Sequence, residues 1–251
     1  MVVGCQLSVV GLRKLLLIFV IDVDIENSHG LNLLDGSSWI ILSNKFNFKF
    51  FTNQIQIFYF YVMNKKELRK KYRLLRNELS DDAIIDGSLA IANRIVTMNI
   101  WENTYFHLFL TIEEQREIDT EFILQVLAGK DKEIVVSKSD FETFEMAHFL
   151  LTDNTKFRTN AYNIPEPITG LEVPVEKIDV VFVPLLAFDT NGHRVGYGKG
   201  FYDKFLSKCK PEVIKIGLSF FEAEEVISDA TEDDVKLDFC VTPEKIYSFR
   251  D

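Results

Sequence analysis

The sequence predicts an α/β protein: a three-layer, mostly parallel central sheet flanked by helices, of Rossmann-like topology, in a single domain. Three observations predict it. Segments of helical period alternate with short strand-like segments from residue 64 onward. The run IDVVFVPLLAFD, residues 178–189, is almost continuously apolar, as suits a strand buried on both faces of a parallel sheet. The glycine-rich stretch NGHRVGYGKGFYDKF, residues 191–205, follows that run and opens toward a helix, which is where α/β sheets bind ligands.

Each element has its own signal. In MNKKELRKKYRLLRNELS, Asn64 is placed to cap a helix and Glu67 to complete a capping box. Leu68, Tyr72, Leu75 and Leu79 make an apolar stripe at helical spacing. Lys65, Arg69, Arg73 and Arg76 make a basic stripe beside it, of which Arg73 and Arg76 read as a solvated face. A second helix begins after Ser80, with acids in its first turn. Residues 104–112, TYFHLFLTI, read as one strand, and DTEFILQVLAGK as a short helix ending near Gly129. EIVVSKS and EMAHFLLT read as strands, whereas the two prolines of NIPEP argue against regular structure there. A helix is expected over about residues 200–208, then a buried strand in VIKIGLSF and an edge strand in EKIYSF.

Composition narrows the function classes. A chain of 251 residues with formal charge −10 is unsuited to general nucleic-acid or anionic-membrane binding. Its 3 cysteines, without a C-x-x-C, fit a reducing cytoplasm and offer no zinc or redox signature. Residues 1–62 differ from the rest. Arg13, Lys14, Lys45 and Lys49 balance Asp22, Asp24, Glu26 and Asp35, so all the net charge lies beyond Val62. The run LLLIFVI is too short to span a membrane and runs straight into acids, with no cleavage site. Residues 1–62 are therefore expected to be an upstream extension or appendage, with residues 63–251 carrying the functional domain from a natural start at Met63.

The glycine loop is an anion cradle on physical grounds. Gly196, Gly198 and Gly200 bare the backbone, and Arg194 and Lys199 bring cations to it. Neither a Walker loop nor a dinucleotide fingerprint has this spacing. LLAFDTNGHRVGYGKGFYDKFL instead resembles the signature of the 5-formyltetrahydrofolate cyclo-ligase family, matching at Phe188, Asp189, Gly192, Arg194, Val195, Gly196, Gly198, Gly200, Phe201, Tyr202 and Asp203. KKELR at residues 65–69, EIDT at 117–120, NIPEP and DDVKLDFCVT resemble further family segments in the right order, from Met63 to the C-terminus.

The resemblance implies an ATP- and magnesium-dependent ligase that closes a C–N ring, turning 5-formyltetrahydrofolate into 5,10-methenyltetrahydrofolate with release of ADP and phosphate. Lys199 and Arg194 are then the catalytic cations. Lys65, Lys66, Arg69, Arg194, Gly196, Tyr197, Gly198, Lys199, Gly200, Phe201 and Tyr202 would bind ATP. Leu110, Ile112, Glu117 and Tyr162 would bind the folate, sharing Tyr197, Gly198, Lys199, Gly200 and Phe201 with the nucleotide. Asp203 and Asp234 would hold Mg2+, with Asp238 competing for the second place. Tyr197 departs from the family, some members of which carry a cation there. His107 and His148 read as core or edge histidines, and His193 is given no catalytic role. The partners expected are the two small-molecule substrates, with no nucleic acid or membrane, acting on a cytoplasmic monomer. Two rival readings share the cradle: a phosphosugar isomerase-like enzyme, and a non-enzymatic folate- or nucleotide-binding regulator.

Overall fold

The computed structural model describes residues 62–160, 163–232 and 234–250, so the reading of residues 1–62 lies, apart from Val62, outside them. Met63–Asp251 is one compact unit. Its first helix, α1 (Lys65–Glu78), starts as its sequence dictates: the Asn64 side chain accepts from the Glu67 amide, and the Glu67 side chain accepts from Asn64. In α2 (Asp81–Val96) the Ser80 side chain accepts from the Ala83 amide. The third helix, α3 (Glu121–Gly129), and the short α4 (Phe201–Leu206) complete the helical set among the described residues, apart from two single-turn 3-10 segments.

The central sheet is built from β1 (Tyr105–His107), β2 (Glu133–Asp140), β3 (Glu145–Leu150), β6 (Val180–Pro184), β9 (Ile214–Leu218), β10 (Phe239–Val241) and β11 (Ile246–Ser248), in the order β11-β10-β9-β6-β1-β2-β3. β2, β1, β6, β9 and β10 are mutually parallel; β3 and β11 pair antiparallel at the two edges. Counted in chain order, the parallel strands lie 2-1-3-4-5, so the sheet reverses direction of growth between β1 and β6. That switch point decides where a ligand can enter.

The layers follow from the alternation of side chains along a strand. Val180 and Phe182 of β6 pack with Ile91, Ile95, Ile123 and Leu127 of α2 and α3. Val181 and Val183 point the other way and pack with Phe205 and Leu206 of α4. Both rows are fully buried, which is why the sequence reads as an unbroken apolar run. α1 packs elsewhere: Leu68 and Tyr72 lie against Leu186, Ala187 and Val195, on the hairpin of β7 (Ala187–Phe188) and β8 (Arg194–Val195).

Two local expectations are corrected. The strand expected over residues 104–112 stops at His107, because the chain leaves the sheet there and residues 109, 110 and 112 line a cavity instead. The NIPEP segment is not irregular. Pro165–Thr169 forms β5, paired antiparallel with β4 (Lys156–Thr159) in a separate two-stranded sheet. Prolines are tolerated because such a strand is all edge and has positions that need no ladder donor.

Candidate active site

A cavity of about 370 Å³ opens beyond the carboxyl ends of β1, β2 and β6, at the switch point of the sheet. One wall is α1 and the glycine loop, bearing Lys65, Arg69, Arg73, Arg194 and Lys199. The facing wall comes from the segment after β1 and from β2, with Phe109, Leu110, Ile112 and Glu117 among its residues.

The loop's backbone is built for close approach. Gly198 has φ +93° and Gly200, at the N-cap of α4, has φ +79°, both in the region where a Cβ is penalised. A Cβ on Gly198 would also stand 3.2 Å from the Arg69 guanidinium, whose Nε donates to the Gly196 carbonyl at 2.9 Å. Conformation thus favours glycine at 198, and any side chain there would also have to displace the Arg69 guanidinium slightly. Behind the loop, buried Asp189 accepts from the amides of Asn191, His193 and Ile227 and contacts His193 Nδ1 at 3.1 Å. His193 belongs to that turn and does not line the cavity.

The cations are differently held. Arg194 is buried, donates through Nη1 to the Val235 carbonyl, and pairs through Nη2 with Asp203 at 2.6 Å. Burial pulls its guanidinium down from the usual range, and Asp203 and Asp234 oppose that. Lys65 meets both Asp234 oxygens at 2.6 Å. Partial burial works to raise the Asp234 carboxyl, but Lys65 and the Thr231 amide outweigh it, so it stays below the usual carboxylate range. Lys199 is exposed at the cavity and, among the described residues, has no carboxylate partner. An exposed, unengaged ammonium beside bare amides is free to meet an incoming anion.

Glu117 sits at the back of the pocket with only 3% of its surface exposed. Its Oε1 accepts from the Tyr197 hydroxyl and its Oε2 from the Ile112 amide at 2.9 Å. Burial pushes this carboxyl up from its ordinary range, while Tyr197, Arg76 and the Ile112 amide pull it back. Phe201 closes the mouth, edge-on to Phe141 with ring centroids 5.1 Å apart.

Most of the sequence-predicted residues meet here. Lys65, Arg69, Leu110, Ile112, Glu117, Arg194, the loop from Gly196 to Tyr202, Asp203 and Asp234 all line the cavity. Lys66 does not: one residue on from Lys65, it is turned about 100° round the helix, to the exposed face. Asp238 is also elsewhere, paired with Lys215 at 2.9 Å and Arg250 at 3.2 Å. Tyr162 lies outside the described residues. Tyr197 faces Glu117 and Arg76 through its hydroxyl, so only its ring is left to a ligand.

The solvated-face reading of Arg76 is overturned. Arg76 is 3% exposed, donates through Nη1 to the Tyr197 hydroxyl at 2.8 Å and through Nη2 to the Leu185 carbonyl. The β7–β8 hairpin covers that side of α1, which a helical wheel has no means of showing. Arg73 is exposed but lines the cavity, its guanidinium 5.9 Å from the centroid of the Tyr197 ring. A cation from α1 therefore reaches the Tyr197 ring.

Comparison with known proteins agrees with this geometry. The sequence profile of the 5-formyltetrahydrofolate cyclo-ligase family matches residues 62–243. The 5-formyltetrahydrofolate cyclo-ligase of Mycoplasma genitalium is 39% identical over 180 residues, covering 71% of this chain and 99% of its own. The mouse (Mus musculus) enzyme of the same name is 27% identical over 154 residues, 58% of this chain and 74% of its own. The solution structure of a 5,10-methenyltetrahydrofolate synthetase from Aquifex aeolicus superposes with TM-score 0.63 at 30% identity, covering 74% of this chain and 93% of that one. With a profile match spanning most of the chain and a cavity assembled from the matching residues, this chain is an enzyme of the 5-formyltetrahydrofolate cyclo-ligase family.

Proposed function

We propose that the chain catalyses the ATP- and Mg2+-dependent cyclisation of 5-formyltetrahydrofolate to 5,10-methenyltetrahydrofolate. One observation carries the reading: an anion cradle with a free lysine and an apolar pocket ending in a buried carboxylate share one cavity. A phosphoryl donor and a flat, donor-rich heterocycle are the two substrates such a cavity suits.

In this reaction the formyl oxygen attacks the γ-phosphorus of ATP and ADP departs, leaving a phosphorylated iminium at N5. N10 then attacks the formyl carbon and loses its proton, and phosphate leaves with the former formyl oxygen. The protein's share is positioning and charge neutralisation. Lys199 and Arg194 are assigned to the charge on the transferring phosphoryl group. The loop amides hold its oxygens, and Lys65 and Arg69 hold the nucleotide. Leu110, Ile112 and Phe201 exclude water from the folate, and Glu117 accepts from the pterin's N–H groups.

Asp203 and Asp234 fit a magnesium ion, since hard carboxylate oxygens in the phosphate cavity are its usual protein ligands, few in number. Magnesium is commonly held by one or two carboxylates together with substrate phosphates, and these two aspartates line the cavity. When bound, the metal would supply charge neutralisation between phosphates. Both aspartates are engaged with cations that phosphates also attract, Arg194 and Lys65. Nucleotide binding thus has the means to release them. We assign this whole activity to residues 63–251; among the described residues no helix is long and apolar enough to cross a membrane. The working form is taken to be a cytoplasmic monomer.

The test is a spectrophotometric assay of methenyl product in the near ultraviolet, with ATP and magnesium each omitted in turn. Product that needs both is expected; none from a folded chain that binds ATP refutes the assignment. Lys199→Ala should lower kcat by about a hundredfold or more with an unchanged thermal melt. An unchanged kcat would remove Lys199 from the phosphoryl site.

A further inference from the structure

Three groups in the cavity form a chain of hydrogen bonds that starts from an obligate donor. Arg76 only donates, and its Nη1 gives a hydrogen to the Tyr197 hydroxyl oxygen at 2.8 Å. The phenol has a single hydrogen of its own, and Glu117 Oε1 takes it. Glu117 Oε2 accepts from the Ile112 amide at 2.9 Å. Both carboxylate oxygens are acceptors here, the arrangement that serves Glu117 best when it is ionised. Each oxygen keeps a further lone pair for a donor arriving from the cavity.

The construction is costly, which argues that it serves the site. Arg76 is withdrawn from water in the last turn of α1, and its Nε has no hydrogen-bond partner among the described residues. Its other hydrogen bond fixes it to the Leu185 carbonyl, just beyond β6. The guanidinium is thus anchored to the sheet and aimed at one phenol.

We propose that Arg76 and Tyr197 are positioning residues that hold Glu117 as an oriented, ionised acceptor for the N–H groups of a substrate ring. Neither touches the reacting atoms, and both act through Glu117. Burial by itself pushes the Glu117 carboxyl upward, and Tyr197 and Arg76 are the first two influences opposing it. The other charged or titratable groups lining the cavity with Glu117 are Arg73, beside the Tyr197 ring, Tyr202 from α4, and Lys65, Arg69, Arg194, Lys199, Asp203 and Asp234. None of these is hydrogen-bonded to the carboxylate among the described residues, whereas Tyr197 is. The substrate half of this inference rests on the proposed function; the state of Glu117 does not.

The experiment uses the full chain with Tyr197→Phe, Arg76→Lys and Glu117→Gln, and reads two signals. The first needs no substrate. Infrared difference spectra follow, against pH, the protonated-carboxyl stretch that Glu117→Gln abolishes. Its midpoint should rise by about one pH unit or more in Tyr197→Phe and by less in Arg76→Lys, which keeps a cation. A midpoint unmoved in Tyr197→Phe overturns the proposal, whatever the chain turns over. Should Arg76→Lys fail to fold, Tyr197→Phe still decides, since it removes one oxygen from a ring that keeps its packing. The second signal is the split between KM and kcat. In Tyr197→Phe the KM for 5-formyltetrahydrofolate should rise about tenfold below the new midpoint and recover above it, with kcat retained. A loss of kcat that is the same at every pH would mean a structural role and would equally overturn the proposal. A chain that uses some other substrate would leave the second signal blank while the first still reads the carboxylate.

Discussion

Two buried polar clusters lie on either side of the β1 strand end, and they are treated in opposite ways. At the cavity, Glu117, Tyr197 and Arg76 are linked donor to acceptor, and the carboxylate is met at both oxygens. On the α4 side, His107 and His148 stand with ring centroids 5.4 Å apart, among Phe205 and Tyr202. Neither nitrogen of His107 nor Nδ1 of His148 has a hydrogen-bond partner among the described residues. Burial holds His107 well below the ordinary imidazole range and takes His148 down to about 4. The difference teaches what burial demands. An ionised group is kept where partners for it are built in, and where none are built the group is used in its neutral form, as a flat apolar filler.

The comparison would break first at Glu117. Glu117→Gln keeps the shape but replaces an acceptor with a group that must also donate toward Tyr197 or the Ile112 amide. A loss of about a hundredfold in kcat/KM is expected in steady-state assays, matching roughly 3 kcal/mol for a hydrogen bond to a charged group. A loss under about threefold would mean that Glu117 is as passive as the histidines.

The next effect is on stability. An unfolded imidazole takes up its proton near pH 6.5, whereas His148 resists until about 4 and His107 beyond that. Between those values the unfolded chain binds more protons, so the fold loses stability as pH is lowered through that window. Above pH 6.5 neither state is protonated and the histidines contribute no slope. About 3 kcal/mol is the upper limit for His148, at roughly 1.4 kcal/mol per pH unit. Glu117, raised by burial, acts with the opposite sign and offsets part of this at the acid end. Thermal melts at intervals from pH 7 to 4 should show the midpoint falling. A flat profile would mean the histidines find partners.

How much of this was legible in the sequence varies by residue. The capping box of α1, the doubly buried β6 and the glycine loop each follow from a local rule, and each is found in place. β10 has only Phe239, Cys240 and Val241, and no periodicity can mark three residues; its pairing with β9 makes it a strand. The residues after His107 have strand-like composition because they wall an apolar cavity, which needs the same side chains as a sheet. Arg76 was illegible for a different reason. Its spacing with Lys65, Arg69 and Arg73 is that of a solvated stripe, and only the hairpin packed over α1 turns one member inward.

The smallest expected effect gives the sharpest version of the comparison. His107 is fully buried and its ring nitrogens have no hydrogen-bond partner among the described residues, so leucine, of similar volume and with no polar nitrogen to desolvate, should be nearly neutral at pH 7. The imidazole's flat packing against Phe205 is lost, with centroids at 4.9 Å, while the cost of two unsatisfied nitrogens is relieved. A change within about 1 kcal/mol by chemical denaturation is expected, of either sign. The acid-limb fall in melting temperature should shrink in the same variant, because one of the two neutral imidazoles has gone. A loss of several kcal/mol at neutral pH would show that His107 makes an essential polar contact. The contrast between a networked and an unnetworked cluster would then have to be abandoned. A neutral substitution with a flattened acid limb would show that the fold tolerates these histidines as hydrocarbon, in contrast to Glu117, whose charge the chain has arranged to keep.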